Sequence, residues 1–192
     1  MIRLAVVGDI GSGKSYVAKQ LGYPIFNADA EVAKLYRKSR KCYGKLKKKL
    51  PYYITSFPIK KSRISEAVVD NQNNLKKIIK IVHPEIRTKM NSFIKKNRNK
   101  KFVVLDVPLL MENRINKKND ILIFIDAKKK EINKRLKKKL NINPKIIKKF
   151  KKLQLPVELK KQRSDFIIKN NFRNNSIKKS VKKVLEKILL NA

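Results

Sequence analysis

A glycine-rich segment near the start of the chain has the residue types and spacing of a phosphate-binding loop. It reads Gly-Asp-Ile-Gly-Ser-Gly-Lys-Ser over residues 8–15 and matches G-x-x-x-x-G-K-[ST] at every fixed position. Glycines let the backbone curl so that successive N–H groups point at phosphate oxygens, and a following helix adds the positive end of its dipole. We therefore predict that the loop binds a nucleoside triphosphate. The alternative is a glycine turn that is followed by Lys-Ser by chance.

The residues of this loop have separate expected roles. Lys14 is expected to reach the β- and γ-phosphates, and the Ser15 hydroxyl is expected to ligate Mg²⁺. The backbone N–H of Tyr16 can contact the α-phosphate. The predicted nucleotide-binding residues are Gly11, Ser12, Gly13, Lys14, Ser15 and Tyr16.

Two aspartates follow predicted strands and could act on the acceptor of a phosphoryl group. Phosphoryl transfer needs a group that orients or deprotonates the attacking hydroxyl, and carboxylates that hold Mg²⁺. Asp106 ends a strand at the sheet edge where the loop emerges, so we expect it in the Mg²⁺ shell or beside the acceptor. Asp29 is predicted to be the base or orienter of the acceptor hydroxyl. The alternatives are a turn cap for Asp106 and a helix N-cap for Asp29, which is compatible with catalysis.

The elements that must position these residues alternate between strands and helices. Near-continuous apolar runs predict buried parallel strands, and the intervening segments have helical periodicity. One helical stripe is predicted to end at His83-Pro84 because proline disfavours the α conformation of the preceding residue. The pattern predicts an α/β fold with a parallel sheet. The predicted strands are residues 3–7, 24–26, 101–106, 120–126 and 166–168.

Composition restricts the class of protein. The formal net charge of +37 over 192 residues would suit a nucleic-acid binder, but the lysines are spread along the chain without a recognised nucleic-acid motif. We therefore expect no specific nucleic-acid partner. No apolar stretch is long enough to span a bilayer, and the first apolar run is too short for a secretory signal. The single cysteine, Cys42, excludes an internal disulfide and suits a reducing compartment, so a cytoplasmic protein is expected.

Several segments, taken in order, resemble dephospho-coenzyme A kinases, which are P-loop kinases. The most discriminating one beyond the loop is Asp-Val-Pro-Leu-Leu-Met-Glu at residues 106–112, similar to the family pattern D-x-P-L-L-[FM]-E. The resemblance covers essentially the whole chain. The other segments that carry it are residues 11–15, 27–29, 63, 83–87 and 164–170.

The resemblance implies a fold and a reaction. The fold would be a three-layer α/β/α P-loop kinase with a central parallel five-stranded sheet. Residues 1–36 and 100–192 would form the nucleotide-binding core, residues 37–99 a helical insertion that receives the CoA portion, and residues from about 131 to 162 a lid. The reaction would be phosphorylation of the ribose 3′-hydroxyl of dephospho-CoA, with ATP and Mg²⁺ as cofactors. We expect a monomer or a weak homo-oligomer.

The resemblance also assigns site residues. Asp29 matches the proposed catalytic aspartate, Lys14 belongs to the catalytic set, and Arg135 matches a lid arginine that faces the phosphates. Lys139 and the residues around Phe150 occupy positions where further arginines are expected. Ser15 and Asp106 would hold the metal. The implied substrate-binding residues are Asp29, Arg63, His83, Asp106, Leu109 and Glu112.

Three other functions stay open at this point. One is a different small-molecule kinase, such as a nucleoside monophosphate kinase, against which residues 106–112 argue. Another is a nucleotide-regulated nucleic-acid binder, suggested by the charge. The third is a non-catalytic homologue that binds nucleotide, suggested by Asp9 inside the loop and by the few arginines of the lid.

Overall fold

The protein folds into two compact units. The structure, a computed structural model, describes residues 1–138 and 143–190. The sheet unit comprises described residues 1–27, 97–138 and 153–190, and the helical unit comprises residues 28–96 and 143–152. The predicted lid, residues 131–162, therefore contributes to both units. Lys139, one of its predicted basic positions, lies outside the described residues.

A parallel five-stranded sheet forms the centre of the sheet unit, which confirms the predicted α/β class. The strand order is β2-β3-β1-β4-β5, and every neighbouring pair is parallel. The carboxyl ends of all five strands therefore lie along one edge, from which the phosphate loop leaves β1. The strands are β1 (Ile2–Gly8), β2 (Ile25–Asn27), β3 (Phe102–Asp106), β4 (Ile121–Asp126) and β5 (Phe166–Lys169).

Within the described residues, helices lie between β1 and β2, between β2 and β3 and between β4 and β5, and one more follows β5. In chain order they are α1 (Lys14–Gln20), α2 (Ala28–Lys38), α3 (Arg40–Lys49), α4 (Lys61–Asp70), α5 (Gln72–Lys96), α6 (Lys129–Lys138), α7 (Pro144–Lys151), α8 (Val157–Gln162) and α9 (Asn174–Leu190). No helix within residues 1–138 and 143–190 is both long and apolar enough to cross a membrane.

Both faces of the sheet are covered, which explains the near-continuous apolar strands. Alternate residues of the central strands pack with α1 and α9 into one core cluster, and the residues between them are buried on the opposite face, which α8 contacts. Buried apolar area stabilises this arrangement at roughly 25 cal/mol per Å². Helix α9 contributes the stripe Ile177, Val181, Val184 and Ile188.

The helical unit is organised around the long helix α5. Helices α2, α3 and α4 each pack against it, and α7 packs against α4. The ammonium group of Lys149 in α7 donates hydrogen bonds to the carbonyl oxygens of Val68 and Val69, at 2.5 and 2.8 Å. Because the last carbonyls of a helix have no partner inside it, Lys149 stabilises the end of α4.

Helix α5 continues through Pro84, so the predicted end at His83-Pro84 is wrong. A proline inside a helix removes one backbone hydrogen bond and costs about 3 kcal/mol. Each buried apolar side chain contributes roughly 1.5–3 kcal/mol, so packing on both sides of Pro84 outweighs that cost. The buried stripe that passes the proline consists of Ile78, Val82, Ile86 and Met90.

A buried ion pair links the start of β1 to the residue before β4. Arg3 Nε donates to Asp120 Oδ1 at 2.6 Å, Arg3 Nη2 donates to Asp120 Oδ2, and both side chains are less than a tenth exposed. We expect Arg3→Met to lower the free energy of unfolding by about 3–5 kcal/mol, because Asp120 would stay buried without its countercharge. Urea denaturation measures this loss, and Arg3→Met/Asp120→Leu should recover much of it. A loss below about 1 kcal/mol, as for a surface pair, would contradict the expectation.

Candidate active site at the phosphate loop

The loop between β1 and α1 has the backbone conformation that its glycines predict. Gly8, Gly11 and Gly13 have φ values of 149°, 84° and 92°, a region that residues with a Cβ rarely adopt. A Cβ on Gly8 would also lie 2.8 Å from the carbonyl oxygen of Ile125. The loop can therefore take this path only with glycine at these positions.

Three side chains of the loop that were predicted to act on the phosphates or the metal lie in different surroundings. Lys14 Nζ donates to the carbonyl oxygens of Gly8 and Asp9, at 3.3 and 2.8 Å, so its ammonium lies over its own loop. Ser12 is fully buried, and its hydroxyl has no hydrogen-bond partner among the described residues. Buried hydroxyls without a partner are costly, so a ligand oxygen is the natural partner for Ser12. Ser15 is exposed at the start of α1.

Tyr16 lies on the side of α1 that faces the start of α9. Its hydroxyl donates to Asn174 Oδ1 at 2.9 Å. Its backbone N–H bonds to the Gly13 carbonyl at 3.0 Å and so takes part in closing the first turn of α1. A contact between this N–H and the α-phosphate stays a prediction.

Asn170, at the end of β5, fixes the loop from the opposite side, and it was not among the predicted site residues. The side chain is 3% exposed, and its Nδ2 donates to the Ser12 carbonyl at 2.7 Å. Its Oδ1 accepts the N–H of Phe172 at 2.8 Å. A polar residue following a predicted strand at the carboxyl edge was the signal that could have identified it.

Arg135 lies near the loop through an aromatic contact. Its guanidinium carbon is 4.3 Å from the centre of the Phe172 ring, within the range of a cation–π interaction. Phe172 has φ of 61°, which is strained for an aromatic residue, and such strain concentrates at functional sites. A Cβ on Gly13 would lie 3.4 Å from this ring. Arg135 is thus held by a ring that borders the loop, and its contact with phosphates stays a prediction.

Asp106 is buried at the carboxyl end of β3. It is 3% exposed, and Asn27 Nδ2 donates to its Oδ2 at 2.5 Å. Asn27 ends β2, so neighbouring strand ends hold the carboxylate in place. The described residues contain no cluster of three or more His, Cys, Asp or Glu that could hold a metal. Mg²⁺ often takes one or two protein ligands and completes its shell with phosphate oxygens and water, so Ser15 and Asp106 fit such a role.

Leu109 and Glu112 follow β3 and line a pocket with Lys14 within the sheet unit. Leu109 has φ of 56°, a second strained residue near the loop. Glu112 Oε1 accepts the N–H of Leu155 at 3.0 Å and lies 3.5 Å from Lys160 Nζ. Lys160 was not predicted as a site residue, because nothing in a lysine-rich sequence distinguishes it from its neighbours.

Asp29, Arg63 and His83 belong to the helical unit, whose residues are described by themselves. Asp29 is the second residue of α2 and lies in its first turn. The Arg63 guanidinium donates to the carbonyls of Tyr52 and Tyr53 and to Glu66, so much of its hydrogen-bonding capacity is used inside the unit. Partial burial, together with nearby Arg87, lowers the pKa of His83, which favours the neutral imidazole at neutral pH.

Gly13→Ala is expected to raise the Kd for ATP at least about tenfold, an effect of about 1.4 kcal/mol. A Cβ there would lie 2.3 Å from Asn170 Nδ2, so Asn170 would have to release the Ser12 carbonyl. Gly22→Ala is the matched control, since Gly22 also has positive φ but has no atom within 4 Å of such a Cβ. Titration calorimetry with ATP measures both variants. Equal Kd values for the two would contradict the role given to Asn170.

Comparison with known proteins identifies the family. The chain matches the family model for dephospho-CoA kinase over residues 2–177. The dephospho-CoA kinase of Wolbachia sp. subsp. Brugia malayi is 35% identical over 170 residues, covering 86% of this chain and 87% of that protein. The dephospho-CoA kinase of Bartonella quintana is 31% identical over 170 residues, with the same coverage.

Solved structures with the same fold include two bacterial proteins. TT1252 from Thermus thermophilus superposes with a TM-score of 0.75 at 24% identity, over 97% of both chains. The dephospho-CoA kinase from Campylobacter jejuni superposes with a TM-score of 0.63 at 23% identity, over 97% of this chain and 96% of the other. At these identities the two structures establish the P-loop kinase fold. Together with the family match and the relatives above 30% identity, the phosphate loop and its sheet lead to one conclusion: the chain belongs to the dephospho-CoA kinase family and is a kinase.

Proposed function

We propose that this kinase transfers the γ-phosphoryl group of ATP to the 3′-hydroxyl of the ribose in dephospho-CoA, giving CoA. The observation that carries the proposal is the glycine loop at the carboxyl edge of the sheet, with Lys14 above it and the buried Ser12 hydroxyl without a partner among the described residues. A loop of this kind binds triphosphates. The identity of the acceptor, dephospho-CoA, is inferred from the family to which the chain belongs.

The loop residues bind and hold the donor. Lys14 would leave the carbonyl oxygens of Gly8 and Asp9 for the phosphate oxygens, which offer it a full negative charge. Ser15 and Asp106 would hold Mg²⁺, which when bound neutralises charge on the phosphate oxygens. The anchor from Asn170 to the Ser12 carbonyl keeps the loop amides oriented before the nucleotide arrives. Such preorganisation lowers the cost of stabilising the transition state.

Asp29 would orient the acceptor hydroxyl and accept its proton as the oxygen attacks the γ-phosphorus. The bond from that phosphorus to the bridging oxygen breaks, and its electron pair stays with ADP. The acceptor would be contacted by Arg63, His83, Leu109 and Glu112. Its CoA portion would be bound by the helical insertion, residues 37–99. Arg135, in a lid of about residues 131–162, would approach the phosphates and help to exclude water.

The reaction is tested by mixing the purified protein with ATP, Mg²⁺ and dephospho-CoA and looking for CoA by mass spectrometry. The mass should rise by one phosphoryl group, and AMP offered as acceptor should give no product. Absence of CoA together with phosphorylation of AMP would overturn the proposal. We also propose that the enzyme acts in the cytoplasm, a reducing compartment that its single cysteine suits. We expect a monomer or weak homo-oligomer without a nucleic-acid or membrane partner.

A further inference from the structure

Lys160 is buried next to the phosphate loop, although most lysines of this chain are solvated. It lies in α8 and is 2% exposed. Its Nζ is 3.5 Å from the Gly8 carbonyl oxygen and 3.5 Å from Glu112 Oε1. Both distances are at the upper limit of hydrogen bonding. An ammonium group has three donors, so these two long contacts leave much of its capacity available.

Burying a charge this way is costly unless the charge is well compensated. Taking an ammonium ion out of water costs several kcal/mol, which only close pairing repays. Glu112, the countercharge, also accepts the N–H of Leu155 at 3.0 Å, which is shorter than its distance to Lys160. The local structure therefore stabilises Lys160 only in part. A strong acceptor supplied by a ligand would complete its pairing.

The position of Lys160 beside the phosphate loop indicates what kind of ligand could supply this acceptor. Lys14 and Lys160 both contact the carbonyl oxygen of Gly8, so two ammonium groups converge on one acceptor. Each ammonium group lies within 3.5 Å of that oxygen, so the two positive charges are near enough to repel each other. An anion bound between them would add to the compensation that Glu112 gives Lys160. Both lysines line the same pocket, together with Leu109 and Glu112 from the segment proposed to contact the acceptor.

We propose that Lys160 is a second phosphate-binding residue that contacts the γ-phosphoryl group during transfer. The inference rests on the proposed function, because a pocket between the phosphate-loop lysine and the acceptor segment receives the group being transferred. In this role Lys160 supplies positive charge to the oxygens of the γ-phosphoryl group. It therefore acts as a catalytic residue through electrostatic stabilisation, while the proton of the acceptor hydroxyl is accepted by Asp29.

The test compares a triphosphate with a diphosphate. In Lys160→Met, the Kd of the β,γ-imido analogue of ATP with Mg²⁺, measured by titration calorimetry, should rise about ten- to a hundredfold, as expected for loss of one charged hydrogen bond. The Kd of ADP should change by less than about twofold, because ADP lacks the γ-phosphate. The value of kcat for CoA formation should fall about 10²–10³-fold.

Controls separate this role from a purely structural ion pair with Glu112. Lys161→Met removes the neighbouring lysine, which is 38% exposed and pairs with Asp126, and it should leave both Kd values unchanged. If Lys160→Met does not fold, Lys160→Gln keeps a hydrogen-bond donor without the charge and carries the same comparison. If Lys160→Met raised the Kd values of the analogue and of ADP by the same factor, or raised neither, the inference would be overturned. A wild-type protein that binds the analogue but makes no CoA would refute the proposed acceptor only, since the binding comparison still decides the role of Lys160.

Discussion

Lys14→Met is expected to lower kcat/KM for CoA formation by about 10²–10³-fold, the range seen when one electrostatic donor is removed from a transition state. The ammonium of Lys14 lies over the loop, 2.8 Å from the Asp9 carbonyl, and is proposed to leave that contact for the phosphate oxygens. Negative charge grows on the oxygen that bridges the β- and γ-phosphorus as the bond to ADP breaks, so the loss should fall mainly on kcat. Initial rates over a range of ATP concentrations, with CoA quantified by mass, separate kcat from KM.

The matched control for this prediction is Lys19→Met, which removes an exposed lysine from the last turn of the same helix. Its kcat/KM should stay within about threefold of the wild type, because an exposed charge outside the site is largely screened. If Lys14→Met retained wild-type kcat/KM, the phosphate loop would not be the catalytic centre. A fall in both variants alike would point instead to the general basic charge of the protein.

The sheet and the loop could be predicted because local sequence determines them. Residues 102–106 and 121–126 are short, β-branched apolar runs of the kind expected for strands buried on both faces, and both are strands in the structure. The loop at residues 8–15 needs glycine for its positive φ values, so the positions of its glycines indicate its backbone conformation. The family resemblance, carried most clearly by residues 106–112, is also confirmed.

Other features depend on contacts between distant parts of the chain, and the sequence pattern does not contain them. Asn170 meets the Ser12 carbonyl across 158 positions, and Lys160 meets the Gly8 carbonyl across 152. A pattern that covers a few turns cannot reveal that one lysine in a basic stretch is buried. The continuation of α5 through Pro84 has the same origin, since packing within the helical unit outweighs a local preference.

The division of the predicted lid between the two units is another such feature. Helix α6 carries Arg135 in the sheet unit, whereas α7 belongs to the helical unit, where Lys149 holds the end of α4. Both helices have the same lysine-rich composition, so composition could not assign them to different units. In α6, Arg135 lies over the Phe172 ring, whereas in α7 the ammonium group of Lys149 binds two backbone carbonyl oxygens. The segment predicted as the lid, about residues 131–162, is therefore divided between the two units, each of which is described by itself.

Asp29→Asn is expected to lower kcat for CoA formation by about 10²–10⁴-fold, the usual contribution of a general base or orienting carboxylate. The amide keeps the size of the side chain and its position in the first turn of α2, but it cannot accept the proton of the ribose hydroxyl. The Kd of the β,γ-imido analogue should stay near the wild-type value, because Asp29 is proposed to act on the acceptor. Rates of CoA formation and calorimetry with the analogue give the two quantities.

Glu31→Gln is the matched control, since Glu31 lies in the same first turn and pairs with Lys34 and Lys89. These basic neighbours lower the pKa of Glu31 and keep it ionised, yet the proposed chemistry gives it no role. Its replacement should leave kcat within about threefold of the wild type, as expected for an ion pair outside the site. If Asp29→Asn changed kcat no more than Glu31→Gln does, proton acceptance by Asp29 would be excluded, and the hydroxyl would have to lose its proton to the phosphate or to water. Both substitutions remove one carboxylate from the first turn of α2, and urea denaturation of the two variants would show whether they change its stability alike.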